Sequence, residues 1–415
     1  MLKRKFALHI CFFIFLTGCT TTIPDVKLSA PESAPTSPLA KAEPVPAAAK
    51  PESQSMSLVS ITEPQPVVPL PTPDFLSLVA VGDNLFHDPM FKDDSFNYDS
   101  YYTEIKSIVQ AADIAFVNQE TVLAGKSFGY SGYPQFNTPQ EVGLALINTG
   151  FNVVNQATNH IMDKGEQAVF ATMDFWDKYP GITLLGIHRS QEERDKQIII
   201  KKNNIRVGFL SYTYGTNGLP IPKNKPYLVS TIDTEVMAKE IDALRLNCDL
   251  LVVSMHWGEE YRHTPTTEQK RLAQFLSDHQ VDIIIGHHPH VLEGTDTLTG
   301  KNGNETFCVY SLGNFISHQA DSPTLLGGLL CLKVKMFEGI VTIESAKITP
   351  LVTHYETGSV NFKVYPLYEY TEELAKKHTR KIQGKVFDVK YFTNLAETIL
   401  GDAMRNENPF NEGSL

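Results

Sequence analysis

Short apolar runs closed by a glycine or a polar residue recur along the chain from Phe75 onward, separated by stretches with helical spacing. Runs at 76–84, 114–117, 153–154, 184–186, 205–214, 250–256, 283–285 and 307–316 are rich in β-branched and aromatic residues and predict strands. Between them, 101–111, 138–150, 166–178, 233–247 and 267–279 place apolar residues at helical intervals. The boundary at Thr138-Pro139-Gln140-Glu141 reads as an N-cap, a proline at the first helical position and a glutamate three residues after the cap, with Gly150 closing the helix. Strands alternating with helices imply βαβ units and a parallel or mixed sheet. Further on, 325–337 and 341–355 alternate apolar with polar residues and predict an antiparallel pair turning near Gly339. After about residue 365 the pattern predicts charged amphipathic helix and then a polar tail. The stretch 126–137, rich in Gly and Tyr, reads as a surface loop, either inert or offering Tyr130 and Tyr133 as a substrate rim.

The polar residues at the strand ends carry the candidate chemistry. Asp83, Glu120, Asn159, His160, His256, His288 and His290 each follow an apolar strand, so one edge of the sheet gathers them, and ligands collect at that edge of open α/β sheets. The centre of the pattern is 282–294, DIIIGHHPHVLEG, where Gly286 ends a strand and Pro289 stiffens a turn carrying three histidines. Taken alone, that stretch fits surface histidines as well as a metal site. Two carboxylates, an amide and several imidazoles together are the oxygen and nitrogen donors that a two-metal site needs.

Composition adds context. The chain has 415 residues, 42% hydrophobic and 20% charged, enough for one large domain or two ordinary ones, and its net charge of -11 argues against a nucleic-acid partner. Lys3, Arg4 and Lys5 precede an apolar segment at 6–16 that is short for a membrane span, as in a signal peptide. Leu16-Thr17-Gly18-Cys19 resembles a bacterial lipobox, which implies removal of residues 1–18 and a lipid on Cys19. Removal takes three positive charges and no acid, leaving -14. Twelve of the 25 prolines fall between Pro24 and Pro73, so 19–74 reads as a disordered tether holding a domain off the bilayer. Cys248, Cys308 and Cys331 are an odd set without CxxC spacing, which predicts neither a disulfide framework nor a zinc-cysteine site.

GDNLFH, NQET, TNHIMDKG, HWGEEY, GHHPHVLEG and SLGNF, in this order over roughly 75–317, resemble the CapA (PgsA-like) family of poly-γ-glutamate capsule synthesis, itself similar to calcineurin-like metallophosphatases. The resemblance implies an α/β fold, a metallophosphatase-like layered α/β/β/α sandwich with mixed sheets over 75–320, plus a C-terminal β-hairpin and helical extension over 321–415. It implies two divalent cations (Mn, Fe or Zn). Asp83 and His290 would hold one, Asn159, His256 and His288 the other, and Glu120 would bridge them, with His287 a competitor of His288. His160 would contact substrate or protonate a leaving group, Asp163 would orient it, and a metal-bridging hydroxide would be the nucleophile. Two departures bear on activity: Leu85 stands where the phosphatase pattern has histidine, leaving His87 or water to substitute, and Glu120 replaces an aspartate. The implied role is a lipid-anchored, extracytoplasmic protein in synthesis, export or processing of the anionic polymer, with capsule-synthase membrane proteins as partners. An extracytoplasmic phosphoesterase and a non-catalytic polymer-binding scaffold are the other two expectations.

Overall fold

A computed structural model describes residues 72–91, 96–319, 321–378, 381–382, 385–386 and 388–411. The expected signal segment, Cys19 and the tether up to residue 71 lie outside the described residues. The chain first lays down four parallel strands, β1 (Asp74–Asn84), β2 (Ile114–Gln119), β3 (Val153–Asn155) and β4 (Thr183–Leu185). It then builds a second sheet from β5 (Ile198–Lys202), β6 (Ile205–Thr213), β7 (Leu250–His256), β8 (Ile283–His287), β9 (Leu292–Thr299) and β10 (Glu305–Leu312), in the order β5-β6-β7-β8-β10-β9. In that sheet β6, β7, β8 and β10 are parallel, and the edge strands β5 and β9 are antiparallel to their neighbours.

The chain finally returns to the first sheet. β11 (Asn314–Ile316) pairs with the end of β1, and β12 (Leu326–Phe337), β13 (Ile340–Glu356) and β14 (Val360–Pro366) extend the sheet to the order β14-β13-β12-β1-β2-β3-β4. The residues beyond 320 are thus a continuation of the first sheet: β12 is hydrogen-bonded to β1 from Asp74 to Val81.

Strand periodicity explains the layering. Successive side chains point to opposite faces. In β8, Ile283 and Ile285 enter the core shared by both sheets, while Ile284 turns outward; in β7, Val252 goes inward, Leu251 and Val253 outward. The outward set packs against Met237, Ile241 and Leu244 of helix Thr234–Arg245 and Leu272, Ala273 and Leu276 of helix Thr267–Asp278. On the other side, Val142, Ala145 and Leu146 of helix Gln140–Thr149, with Phe175 and Trp176 of helix Glu166–Trp176, cover the first sheet. The result is the expected α/β/β/α order with mixed sheets.

Several local expectations are corrected. Thr138 does not cap its helix, which has Pro139 at the N-cap and no side-chain cap bond, because the Thr138 hydroxyl bonds that of Thr121 at 2.7 Å instead. The stretch 101–111 divides into a 3₁₀ turn, Asp99–Ile105, and a helix, Lys106–Ala111. The connection before β6 contains the edge strand β5, whose alternation was hidden by a uniform Ile-Ile-Ile run. The charged helix expected after residue 365 shrinks to Glu372–Lys377, and a longer amphipathic helix forms at Val389–Leu400, burying Phe392, Ala396 and Leu400. Cys248, Cys308 and Cys331 are buried free thiols.

Candidate metal centre

The carboxyl ends of β1, β2, β3, β7 and β8 converge. Gly82 lets β1 approach β11 closely, since a Cβ there would lie 1.9 Å from the Gly313 carbonyl oxygen, and the Asp83 N–H donates to that oxygen at 2.9 Å. Register places Asp83 beside Asn118 and Asn118 beside Asn155. Their side chains form a chain of amides: Asn118 Nδ2 donates to Asp83 Oδ1 at 2.7 Å, and Asn155 Nδ2 donates to Asn118 Oδ1 at 2.7 Å. Asp83 is thereby fixed with its other oxygen turned toward the histidine loop.

That loop is strained. His288 and His290 both have positive φ, 98° and 59°, which non-glycine residues rarely adopt, and such strain concentrates at functional sites. The conformation directs the His288 N–H (3.3 Å) and His290 Nδ1 (3.0 Å) to Asp83 Oδ2. His290 Nε2 lies 3.7 Å from Glu120 Oε1, and His256 Nε2 lies 3.8 Å from the same oxygen while sitting 2.8 Å from Asn159 Oδ1. Asp83, Glu120, Asn159, His256, His288 and His290 are all buried.

Among the described residues, three ligand triads have donor atoms within 4.8 Å of one another: Asp83, Glu120 and His290; Glu120, His256 and His288; and Glu260, His288 and His290. The first two share Glu120. Both Glu120 carboxylate oxygens and His288 Nδ1 are buried without a hydrogen-bond partner. Buried polar atoms normally find partners, so these orphaned atoms fit a cation between them, and the mixed carboxylate and imidazole donors suit a divalent transition metal.

Charges in the cluster are interdependent. Burial pushes the Glu120 carboxyl well above its usual range, with His290 opposing and Asp83 adding to the shift. Burial also disfavours the His290 imidazolium, but Glu120 and the hydrogen bond and charge of Asp83 outweigh it and push His290 up to about 9. Asp83, although burial raises it, is held below the usual range by His290, His287 and Asn118. Burial pulls His288 down to about 3, with His290 adding to the effect. His256 is held well below the usual range by burial and then by the neighbouring imidazoles. Without a cation, burial favours the uncharged form of Glu120, while Asp83 is held as a carboxylate beside His290, whose imidazolium the neighbouring carboxylates favour.

His160 and Asp163 sit beside this cluster. His160 Nδ1 lies 2.7 Å from Asp163 Oδ2, which also accepts the Phe136 N–H at 2.8 Å, and Phe136 packs edge-on against the His160 ring at 4.6 Å. His287 is buried with neither ring nitrogen bonded, stacked on Phe116 and 3.8 Å from Asp83 through Nδ1, so His288 and His290 are the loop members placed in the triads. Leu85 is buried, and His87 is engaged by the Leu85 carbonyl (3.2 Å) and the His318 N–H (3.3 Å), apart from the triads. Exposed tyrosines pack against the cluster's outer residues: Tyr133 near Phe136, Tyr214 over His288 at 4.6 Å, and Tyr261 near His290 at 6.1 Å. Tyr130, the other expected rim residue, is half-buried against Phe91 and Phe96. Sequence patterning did not single out Asn118, Asn155, Glu260, Tyr214 or Tyr261. Asn118 was within reach, because it is one of the last two residues of β2, just ahead of Glu120 at the same strand end.

Comparison with known proteins follows the same residues. A model of a bacterial capsule synthesis protein family, PGA_cap, matches residues 77–319. The PGA biosynthesis protein CapA of Bacillus subtilis is 31% identical over 263 residues, covering 62% of this chain and 66% of that protein. The capsule biosynthesis protein CapA of Bacillus anthracis is 34% identical over 190 residues, covering 45% and 44%. The match spans less than two thirds of either relative's length. Among solved structures, the calcineurin-like phosphoesterase YfkN of Bacillus subtilis aligns at 14% identity over 70% of this chain and 96% of that one, with a TM-score of 0.42. A family model covering more than half of the chain, over the segment that carries the converging strand ends, shows that the protein belongs to the PGA_cap family of bacterial capsule synthesis proteins.

Proposed function

We propose that this chain holds divalent cations at its strand-end cluster and uses them on an anionic, amide-linked polymer of the poly-γ-glutamate type, outside the cell and anchored through a lipid on Cys19. The observation that carries the proposal is Glu120: a carboxylate shared by two ligand triads, with both oxygens buried and unpartnered. Asp83 and His290 would hold one cation, and Asn159, His256 and His288 the other, with Glu120 between them. Two bound divalent cations against two carboxylates leave the centre net positive, which an acidic protein needs in order to take an anionic chain. Bound there, the cations would polarise a carbonyl or phosphoryl oxygen and activate water at neutral pH. The chain's own groups do the rest. Asp163, fixed by the Phe136 N–H, accepts a bond from His160 Nδ1, which leaves the His160 Nε2 lone pair to take up a proton and, as the imidazolium, to pass it to a departing group. Tyr214 and Tyr261, exposed beside His288 and His290, would line the path of an extended chain.

A phosphoesterase is the second reading, favoured by the same triads and the His160–Asp163 pair and opposed by buried, apolar Leu85. Metal-loaded protein incubated with γ-linked glutamate oligomers and with a phosphodiester separates them, using Asp83→Ala and His256→Ala as controls. Metal-dependent binding or cleavage of the oligomer, lost in both variants, is expected. Phosphodiester turnover lost in both, without any oligomer interaction, favours the second reading, and metal bound with neither activity favours a scaffold.

A further inference from the structure

A second opening lies apart from the metal centre. A cavity of about 730 Å³ separates the 3₁₀ turn Asp99–Ile105 from the β13–β14 hairpin, within the roughly 300–1,000 Å³ typical of ligand sites. Met90, Tyr98 and Tyr101 line it from the early part of the chain, and His354, Lys363 and Lys377 from the part beyond the family match. His354 is 2% exposed, its Nδ1 bonded to the Tyr370 hydroxyl at 2.8 Å and its Nε2 without a hydrogen-bond partner. Glu356 Oε1 stands 3.8 Å from that nitrogen, too far for a hydrogen bond, while Glu356 Oε2 accepts a bond from Asn361 at 3.1 Å. Lys363 is paired with Glu104 at 2.7 Å, and Lys377 is exposed with no ion pair among the described residues. The cavity thus offers a buried imidazole nitrogen awaiting a partner and two ammonium groups, one of them uncommitted.

A chain of side-chain contacts joins this cavity to the metal centre. Ser359 at the cavity edge bonds His318 Nε2 at 2.9 Å, and the His318 N–H donates to His87 Nδ1 at 3.3 Å. The His87 ring meets Phe136 edge-on at 5.4 Å, and Phe136 meets His160 at 4.6 Å. A ligand reaching both ends must be long, and one held by lysines must be anionic.

We propose that the cavity is a distal subsite for the anionic polymer, in which Lys363 and Lys377 take its free α-carboxylates and His354 Nε2 bonds a carboxylate or amide of the same chain whose other part lies at the metal centre. This inference rests on the polymer reading of the metal centre. Two linked contacts on one chain bind far more tightly than either alone, so affinity rises with polymer length.

The test is calorimetric titration of metal-loaded full chain with short and long γ-linked glutamate oligomers. Lys363→Met/Lys377→Met is expected to weaken the long oligomer about tenfold or more, by loss of the second linked contact, with short-oligomer affinity and metal content unchanged. Val360→Trp, at the cavity mouth and removing no charge, should act in the same direction, which separates occupancy from a folding defect. Equal affinity for long and short oligomers, or a long oligomer indifferent to both variants, overturns the subsite while leaving the metal-centre reading intact if Asp83→Ala still abolishes binding. Long-oligomer binding that survives Asp83→Ala but is lost in the cavity variants overturns both the linked subsite and the polymer role of the metal centre, leaving the cavity an independent polymer site.

Discussion

Glu120 and His290 hold opposite views of the same space. Without a cation, burial favours a proton on Glu120 and the neighbouring carboxylates favour one on His290; a bound cation displaces the protons these ligands hold. Metal binding should therefore release protons, and affinity should tighten as pH rises from 6 to 8. Calorimetry in buffers of different ionisation enthalpy checks this, and a buffer-independent heat would contradict it. The metal-free fold has its own pH dependence. His290 is raised from 6.5 to about 9, so its contribution is complete below pH 6.5 and is lost as pH climbs through about 9. His287 and His288 are lowered from 6.5 to about 4 and about 3, so the unfolded chain takes up protons that the folded one refuses, and stability falls as pH drops below about 6.5. Denaturant midpoints of metal-free protein should peak near neutrality, and a flat profile from pH 5 to 9 would speak against these charge assignments. Asp163→Asn removes the acceptor that orients His160. It should leave metal content unchanged while lowering turnover by about 10²- to 10⁴-fold, the usual worth of general acid–base catalysis, as single-turnover kinetics would show.

Strand ends position these residues, and the glycines beside them are the most exacting points. A Cβ on Gly286 would lie 1.8 Å from the Tyr310 carbonyl oxygen and 2.8 Å from Trp257 Nε1, so Gly286→Ala must push β8 from β10 just before the histidine loop. The expected loss is about 2 kcal/mol or more of stability, with weakened metal retention; an unchanged melting temperature would contradict it. At this scale the sequence was legible where a strand ended in a polar residue. Asp83, Glu120, His256, His288 and His290 were read from apolar runs that stop abruptly, and those runs are β1, β2, β7 and β8. It was less legible where the tertiary context decides. The Thr138 hydroxyl bonds Thr121 across a loop, a choice no local pattern encodes. Edge strands β5 and β9 lack clean alternation because one face is only partly covered. The amide chain from Asn155 through Asn118 to Asp83 depends on inter-strand register, which periodicity alone does not supply.

Across the whole molecule, the family match ends at residue 319 but the sheet does not. β12 pairs with eight residues of β1, the strand that carries Asp83, and β13 and β14 build outward from it. Truncation after residue 320 would leave β1 with an open, apolar edge and strip Leu329, Leu330 and Leu332 from the core. Such a fragment should aggregate on expression instead of yielding a soluble metal-binding domain; a soluble monomer with native metal content would refute that dependence. The most direct test of the account is metal content by elemental analysis after reconstitution with Mn²⁺, Fe²⁺ or Zn²⁺. Wild-type protein should retain about two ions per chain, as a shared-carboxylate centre requires. Asp83→Ala and His256→Ala should each lose at least one, and Glu120→Gln should lose both. Wild-type protein that keeps no ion, or variants that keep as many as wild type, would contradict it.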